Sequence, residues 1–424
     1  LNTPDSAKTA PVAPAPTAES ERIESLDFVR GIAVMGIVFA NIAGFGHPLS
    51  ATFYPGAFLT PAGEQAQTGW LVQLVLIDGK MRGLFTVLFG AGLVLMRDRL
   101  RRRGFGPAVE LRRLLWLFGF GAAHFVLLWQ GDILMSYAMA GLLALPLVKW
   151  SGRRLLWAGF VGYGVGAAVL GAMYLFVAWT AAGSLDPGGG MGPLQAQFQT
   201  AESVTLAQER AFADLVQGGR YLDVVAASWR ELPAALASTL LLVLCETLPL
   251  TVLGMGLLRT GFFHPPERLS RLLALSVAGL LTGGAATFLI GLAELRAGLT
   301  YWDSLAAVMG TTALPRLPMI LGLAGLLLVL SAQRQGFLAG RIRAAGRVAF
   351  SNYIGTSLVL LPVFHGWGLG LFGTLNRWEL YGVAVLVVIG MLAWSAPWLA
   401  RFRFGPLEWL WRSLTYGRVQ PLRR

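Results

Sequence analysis

Few side chains in this sequence can move a proton or hold a charge in an apolar setting. Most of them stand where a hydrophobic run ends or breaks. "NIAGFGHP", Asn41 to Pro48, closes the first run with an amide and an imidazole. An imidazole near neutral pH can take a proton from a hydroxyl or amine, or carry an acyl group itself. An amide beside it can fix the tautomer or donate to an oxygen that gains negative charge. Asn41 and His47 would lie roughly 9 Å apart on a straight helix, so a bend at Gly44 or Gly46 is needed to bring them together.

"IDGKMRG" sets Asp78, Lys80 and Arg82 inside another apolar run. Ionisable groups in lipid are costly and should face protein or water. Asp78 and Arg82 are four apart and predicted to pair, whereas Lys80 cannot face Asp78 on a regular helix. His124 precedes Asp132 of the turn "WQGD", and Glu246 stands in a later run beside Cys245. Each has a purely structural reading: an interhelical hydrogen bond, a buried ion pair, or an Arg reaching the headgroups. These spacings match no metal-binding pattern, so no metal is expected. No P-loop, GxSxG or HExxH motif is present.

The elements that must position these residues are membrane helices. The 424 residues are 55% hydrophobic and 13% charged, against about 25% charged in soluble domains. Mean hydropathy is +0.61. The expected fold is all-α, a polytopic membrane helix bundle of about ten (ten or eleven) transmembrane helices. The spans read as 28–45, 70–97, 113–130, 132–148, 154–180, 234–258, 272–291, 305–331, 348–368 and 380–399. Two of these, 70–97 and 305–331, look broken, at "IDGKMRG" and at Pro315 to Pro318. Broken backbone is tolerated where it lines a cavity. Residues 1–21, rich in Ala, Pro, Thr and Ser, read as a disordered tail, residues 22–400 as the helical domain, and 401–424 as an interfacial segment in which Pro406 starts a short helix. The single cysteine excludes an internal disulfide.

Basic residues orient the bundle. With the N-terminus inside, Lys80, Arg82 and Arg316 fall within spans, and Arg210, Arg220, Arg230, Arg296 and Arg377 fall outside. Every other Lys and Arg is then on the cytoplasmic side. Both termini are therefore cytoplasmic, while His47, "WQGD" and the outer loop 181–233 face outward. The net charge of +12 follows from this bias and from Arg-rich composition, not from nucleic-acid binding. The Arg-, Ala- and Gly-heavy usage suggests a GC-rich bacterial genome, and hence a bacterial cytoplasmic (inner) membrane.

Five stretches carry a resemblance: "RIESLDFVRGIAVMGIVFAN", "LIDGKMRGLFTVLFGAG", "LLWQGDILMSYAMAGLL", "GRVAFSNYIGTS" and "RFGPLEWLWRSLTYG". Together they resemble the YeiB-like family of bacterial membrane proteins, the last two its C-terminal domain of unknown function. That family is thought to belong to the transmembrane acyltransferase superfamily, with the heparan-alpha-glucosaminide N-acetyltransferases. Arg30, ten residues, then Asn41 is similar to the pattern in those acetyltransferases, where a His follows near the outer end of the helix. His47 is the residue here that matches, after a shorter gap.

The resemblance implies an acyl-CoA-dependent acyltransferase, with acetyl-CoA as the simplest donor. Catalytic candidates are His47, Asn41, Asp78, His124 and Asp132. Candidates for holding the CoA donor are Arg30, Lys80, Arg82, Arg101, Arg347 and Asn352. Expected partners are membrane lipid, an extracytoplasmic sugar, lipid or small-molecule acceptor, and a second copy of the chain. The alternatives are a transporter using Asp78, Lys80, Arg82 and Glu246 as a path, or a non-catalytic membrane scaffold.

Overall fold

A computed structural model describes residues 24–61, 64–185, 190–264 and 269–424. The expected N-terminal tail lies outside the described residues. The fold is all-helical: α1 (Glu24–Gly46), α2 (Glu64–Leu76), α3 (Lys80–Arg102), α4 (Ala108–Leu127), α5 (Leu134–Ala144), α6 (Gly152–Ala181), α7 (Gly192–Gln217), α8 (Tyr221–Leu242), α9 (Leu248–Arg259), α10 (Leu269–Ala297), α11 (Tyr301–Ala306), α12 (Ala313–Gln333), α13 (Phe337–Arg347), α14 (Ala349–Phe364), α15 (Arg377–Arg401) and α16 (Pro406–Tyr416).

All ten expected spans fall on helices. Among the described residues, seven helical stretches are long and apolar enough to cross a membrane, or eight if α13 and α14, bent by 84°, count as one. The two expected spans outside that number have local reasons. α4 opens with Glu110, Arg112 and Arg113, and α5 is only 11 residues long before a 3-10 turn continues it.

Helix α1 is the centre of the bundle. Its apolar window is 67% buried, against 17% for α10 and 22% for α6 and α15. It packs against α3, α12, α13, α14 and α15. The outer helices instead present Trp157, Leu281 and Leu386 to their surroundings, each more than 60% exposed. That is the arrangement lipid requires, since it solvates apolar side chains and leaves backbone groups to be satisfied within helices.

Breaks in the helices have sequence causes. Between α2 and α3 Gly79 has φ +72°, a left-handed conformation that favours glycine, so the expected interruption at "IDGKMRG" is a true break. Two π turns, Val243–Thr247 and Ala307–Thr311, stand just ahead of Pro249 and Pro315. A proline cannot donate to the carbonyl four residues earlier, and a widened turn accommodates that loss. The second interruption thus lies upstream of Pro315 to Pro318, and Pro318 itself is within helix α12.

α7, on the outer side by the charge assignment, is pinned to the loop after α1: Glu209 accepts from Ser50 N at 3.1 Å and Ser50 Oγ at 2.8 Å. At the opposite end α16 starts at Pro406 as expected and ends at Gly417 with φ 66°. Its Glu408 accepts from the Phe350 and Ser351 amides at 2.8 and 3.1 Å and from Ser351 Oγ at 2.5 Å. A carboxylate on the first amides of α14 supplies the partners a helix N-terminus lacks.

Candidate functional site

The C-terminal end of α4 and the turn after it hold His124 and Asp132, and α14 brings Ser357 across to them. His124 Nδ1 lies 2.9 Å from Asp132 Oδ1, and His124 Nε2 lies 2.7 Å from Ser357 Oγ. A carboxylate only accepts, so Nδ1 carries the ring hydrogen and Nε2 presents its lone pair to the serine hydroxyl. The three groups are withdrawn from solvent: the His124 and Asp132 side chains are 1% and 0% exposed, and Ser357 is buried. This is the hydrogen-bond order of a serine nucleophile, an imidazole base and an orienting carboxylate.

Local sequence holds the arrangement in place. The second Asp132 oxygen accepts from Met135 N at 2.8 Å at the start of α5. Ile133 N donates to the Tyr353 hydroxyl at 3.2 Å, tying the same turn to α14. Gly121 is required by the close approach. A Cβ there would stand 2.6 Å from Met135 N and 2.8 Å from Asp132 Oδ2. Trp129 stacks on Phe45 at 4.1 Å and donates to the Gly44 carbonyl at 2.9 Å, which locks the turn onto α1.

Ser357 opens on a small cavity of about 10 Å³ between α1 and α14. Val34, Ile37, Val38, Asn41 and Phe45 line it from α1, Tyr353, Thr356 and Ser357 from α14, and Trp129 closes it. Asn41 therefore shares this cavity with Ser357, the hydroxyl that His124 holds.

His47 does not. The bend that was to bring it to Asn41 is absent, because α1 runs straight to Gly46 and the chain then turns away at Pro48. Both ring nitrogens are bound to backbone: Nδ1 accepts from Leu59 N at 3.1 Å, and Nε2 donates to the Leu375 carbonyl at 2.7 Å. The neutral ring is satisfied and buried, with no lone pair left for a substrate. Burial lowers its pKa to about 4, helped by the nearby Arg377 charge and opposed by the Leu375 bond.

A pH prediction follows from that depression. The unfolded chain binds the His47 proton near pH 6.5 and the folded one only near pH 4. The stability this ring contributes is whole above about 6.5 and is lost as pH falls toward 4, by about 3 kcal/mol. His47→Gln keeps an acceptor and a donor but does not titrate. Wild-type thermal midpoints should drop faster than those of the variant between pH 6.5 and 4. Parallel curves would show that His47 is not the titrating group.

Asp78 also lies elsewhere, and its expected pairing with Arg82 is absent. The break at Gly79 destroys the four-residue register. Asp78 turns back to Gln73 Nε2 at 2.9 Å, and Gln73 also receives Arg377 and Tyr381. Arg82 reaches Glu246 instead, at 2.8 and 3.0 Å, and Arg316 joins from the other side at 3.4 Å. Glu246 sits in the first π turn, and Arg316 donates to Val308 O of the second at 2.5 Å.

The donor-binding candidates divide. Lys80 is buried and donates to the Leu74 carbonyl, and Arg82 is taken by Glu246. Asn352 donates to Ala345 O and Ser395 Oγ and accepts from Trp394 Nε1, a clamp between α13, α14 and α15. These three are committed inside the bundle, which contradicts a phosphate-binding role. Arg101 is exposed at the end of α3, Arg347 is half-buried at the end of α13, and Arg30 pairs with Asp27 at 3.0 Å. The guanidinium of Arg113 stacks on Trp411 at 3.7 Å, within reach of the fields of Arg412 and Arg30.

Among the described residues, no three His, Cys, Asp or Glu side chains converge as a metal-binding group. Ser357, missed from sequence, hides in "NYIGTS" as a polar residue of an apolar helix. The adjoining Thr356-Ser357 pair was the available signal.

The fold and this site define a polytopic helical membrane protein with a buried serine, histidine and aspartate line. A family model described as a protein of unknown function (DUF418) matches residues 257–418. The chain is 29% identical to the uncharacterized protein YxaH of Bacillus subtilis over 96% of this chain and 97% of that protein. It is 29% identical to the uncharacterized protein YeiB of Escherichia coli over 95% and 98%. The chain is thus similar to YxaH and YeiB along nearly its whole length, and residues 257–418 match the family model of unknown function. No solved structure matches it.

Proposed function

We propose that this protein is a membrane acyltransferase that moves an acyl group, most simply acetyl, from acyl-CoA to an acceptor on the far side of the bacterial inner membrane. The observation that carries this reading is the Ser357, His124 and Asp132 line opening on the cavity beside Asn41. A neutral imidazole held by a carboxylate is a general base for a hydroxyl or amine attacking a carbonyl carbon. Asn41 supplies an amide donor where the carbonyl oxygen gains charge.

The inner guanidinium groups of Arg30, Arg113 and Arg412 suit the phosphates of CoA. Eight residues of α14 separate its first turn from Ser357, about 12 Å of helix. A pantetheine arm can cross such a distance and deliver its thioester from the inner side.

The test is release of CoA, and transfer of label, from labelled acetyl-CoA by the purified full-length protein with membrane extract as acceptor source. Activity well above that of membranes lacking the protein is expected, with KM for acetyl-CoA raised about tenfold by Arg113→Gln, the scale of one charge-assisted phosphate contact. No CoA release at millimolar acetyl-CoA would remove the reading.

A further inference from the structure

We infer that Ser357 carries the acyl group as a covalent ester between the two half-reactions, so that donor and acceptor visit the site in turn. The inference rests on the proposed acyl transfer and adds the chemical path. Direct transfer needs only a base, and the base would face the acceptor. Here the hydroxyl facing His124 Nε2, at 2.7 Å, belongs to the protein. It is already placed where an activated nucleophile must stand.

Three further observations agree. Ser357 lines the cavity, whereas His124 lies behind it, so a carbonyl entering the cavity meets Oγ before it meets the imidazole. Of the three hydroxyls that line the cavity, those of Tyr353, Thr356 and Ser357, Ser357 Oγ is the one within hydrogen-bond distance of an imidazole. Two donors border it: the Asn41 amide, and the Tyr353 hydroxyl, which accepts from Ile133 N and keeps its own hydrogen.

The steps balance as follows. His124 Nε2 takes the Ser357 hydroxyl proton as Oγ bonds to the thioester carbonyl carbon. The carbon–sulfur bond breaks, and the proton on Nε2 passes to the departing thiolate. Acyl-Ser357 and free thiol result. An acceptor hydroxyl or amine then loses its proton to Nε2 and bonds to the ester carbon. The carbon–Oγ bond breaks, and the proton returns to Ser357. Asp132 keeps the imidazole in the required tautomer throughout, while Asn41 and Tyr353 meet the oxyanion.

The experiment uses an alkyl fluorophosphonate, which phosphonylates an activated serine and needs no knowledge of donor or acceptor. Purified full-length protein should take up one label, located on Ser357 by peptide mass spectrometry. Ser357→Ala, with a wild-type thermal midpoint, should take up none. His124→Gln should label at least a hundredfold more slowly. Acid-quenched protein incubated with acetyl-CoA should carry acetyl at the same residue. Wild-type protein left unlabelled by the fluorophosphonate overturns the covalent path. So does a Ser357→Ala protein that keeps more than a tenth of the transfer rate, and in that case acyl transfer itself stands by direct attack. Full transfer by His124→Gln would instead overturn the acyltransfer site as well as the carrier.

Discussion

His124→Gln is expected to lower acyl transfer by about 10²- to 10⁴-fold, the contribution of a positioned general base. The substitution leaves a polar atom near Ser357 Oγ but none that takes up a proton near neutrality. Alanine would be a poorer test, because it strands the Asp132 carboxylate, which is 0% exposed and accepts from the ring. The variant should elute and melt like wild type. Asp132→Asn should lose activity on a similar scale, since an amide can donate to Nδ1 and favour the wrong tautomer. His365→Gln is the control, its ring lying near Tyr221 and Trp367 rather than at the cavity. Equal loss from His365→Gln would place the effect in folding and not in chemistry.

Glu246→Ala is expected to cost about 3–5 kcal/mol of stability, the penalty for stranding charge in an apolar interior. Arg82 would lose both of its carboxylate contacts, and Arg316, 1% exposed, would keep only Val308 O and Thr312 Oγ1. Two guanidinium groups would then face the interior without a carboxylate partner. The measure is the thermal midpoint in detergent and the fraction eluting as a single species. Glu246→Gln, which keeps an acceptor without its charge, should fall between the two. A Glu246→Ala protein that melts with wild type would mean the cluster adds nothing to folding.

The span pattern was legible because lipid demands long apolar helices, and that demand is written in local composition. The break at "IDGKMRG" was legible for the same reason, as was the Pro406 helix. Partners across the bundle were not. Asp78 and Arg82 look paired four residues apart, and only the left-handed turn at Gly79 reveals that they face different neighbours. His47 drew attention by standing at a helix end beside Asn41. Its fate depended on Leu59 and Leu375, two backbone groups that no pattern in the side chains announces. Ser357 lies 233 positions from His124, so their meeting is a property of how α4 and α14 pack.

Glu408 ties the site to the first turn of α14 and, through it, to α16. It holds the first amides of α14, and Ser351, which it also binds, is six residues from Ser357, about 9 Å along one stiff rod. A stiff rod transmits axial displacement. A partner or modification that lifted α16 would uncap that rod and slacken it toward its far end. The serine would slide or tilt relative to the imidazole on α4, and reactivity at Ser357 would then report an event at α16, with no message carried by diffusion.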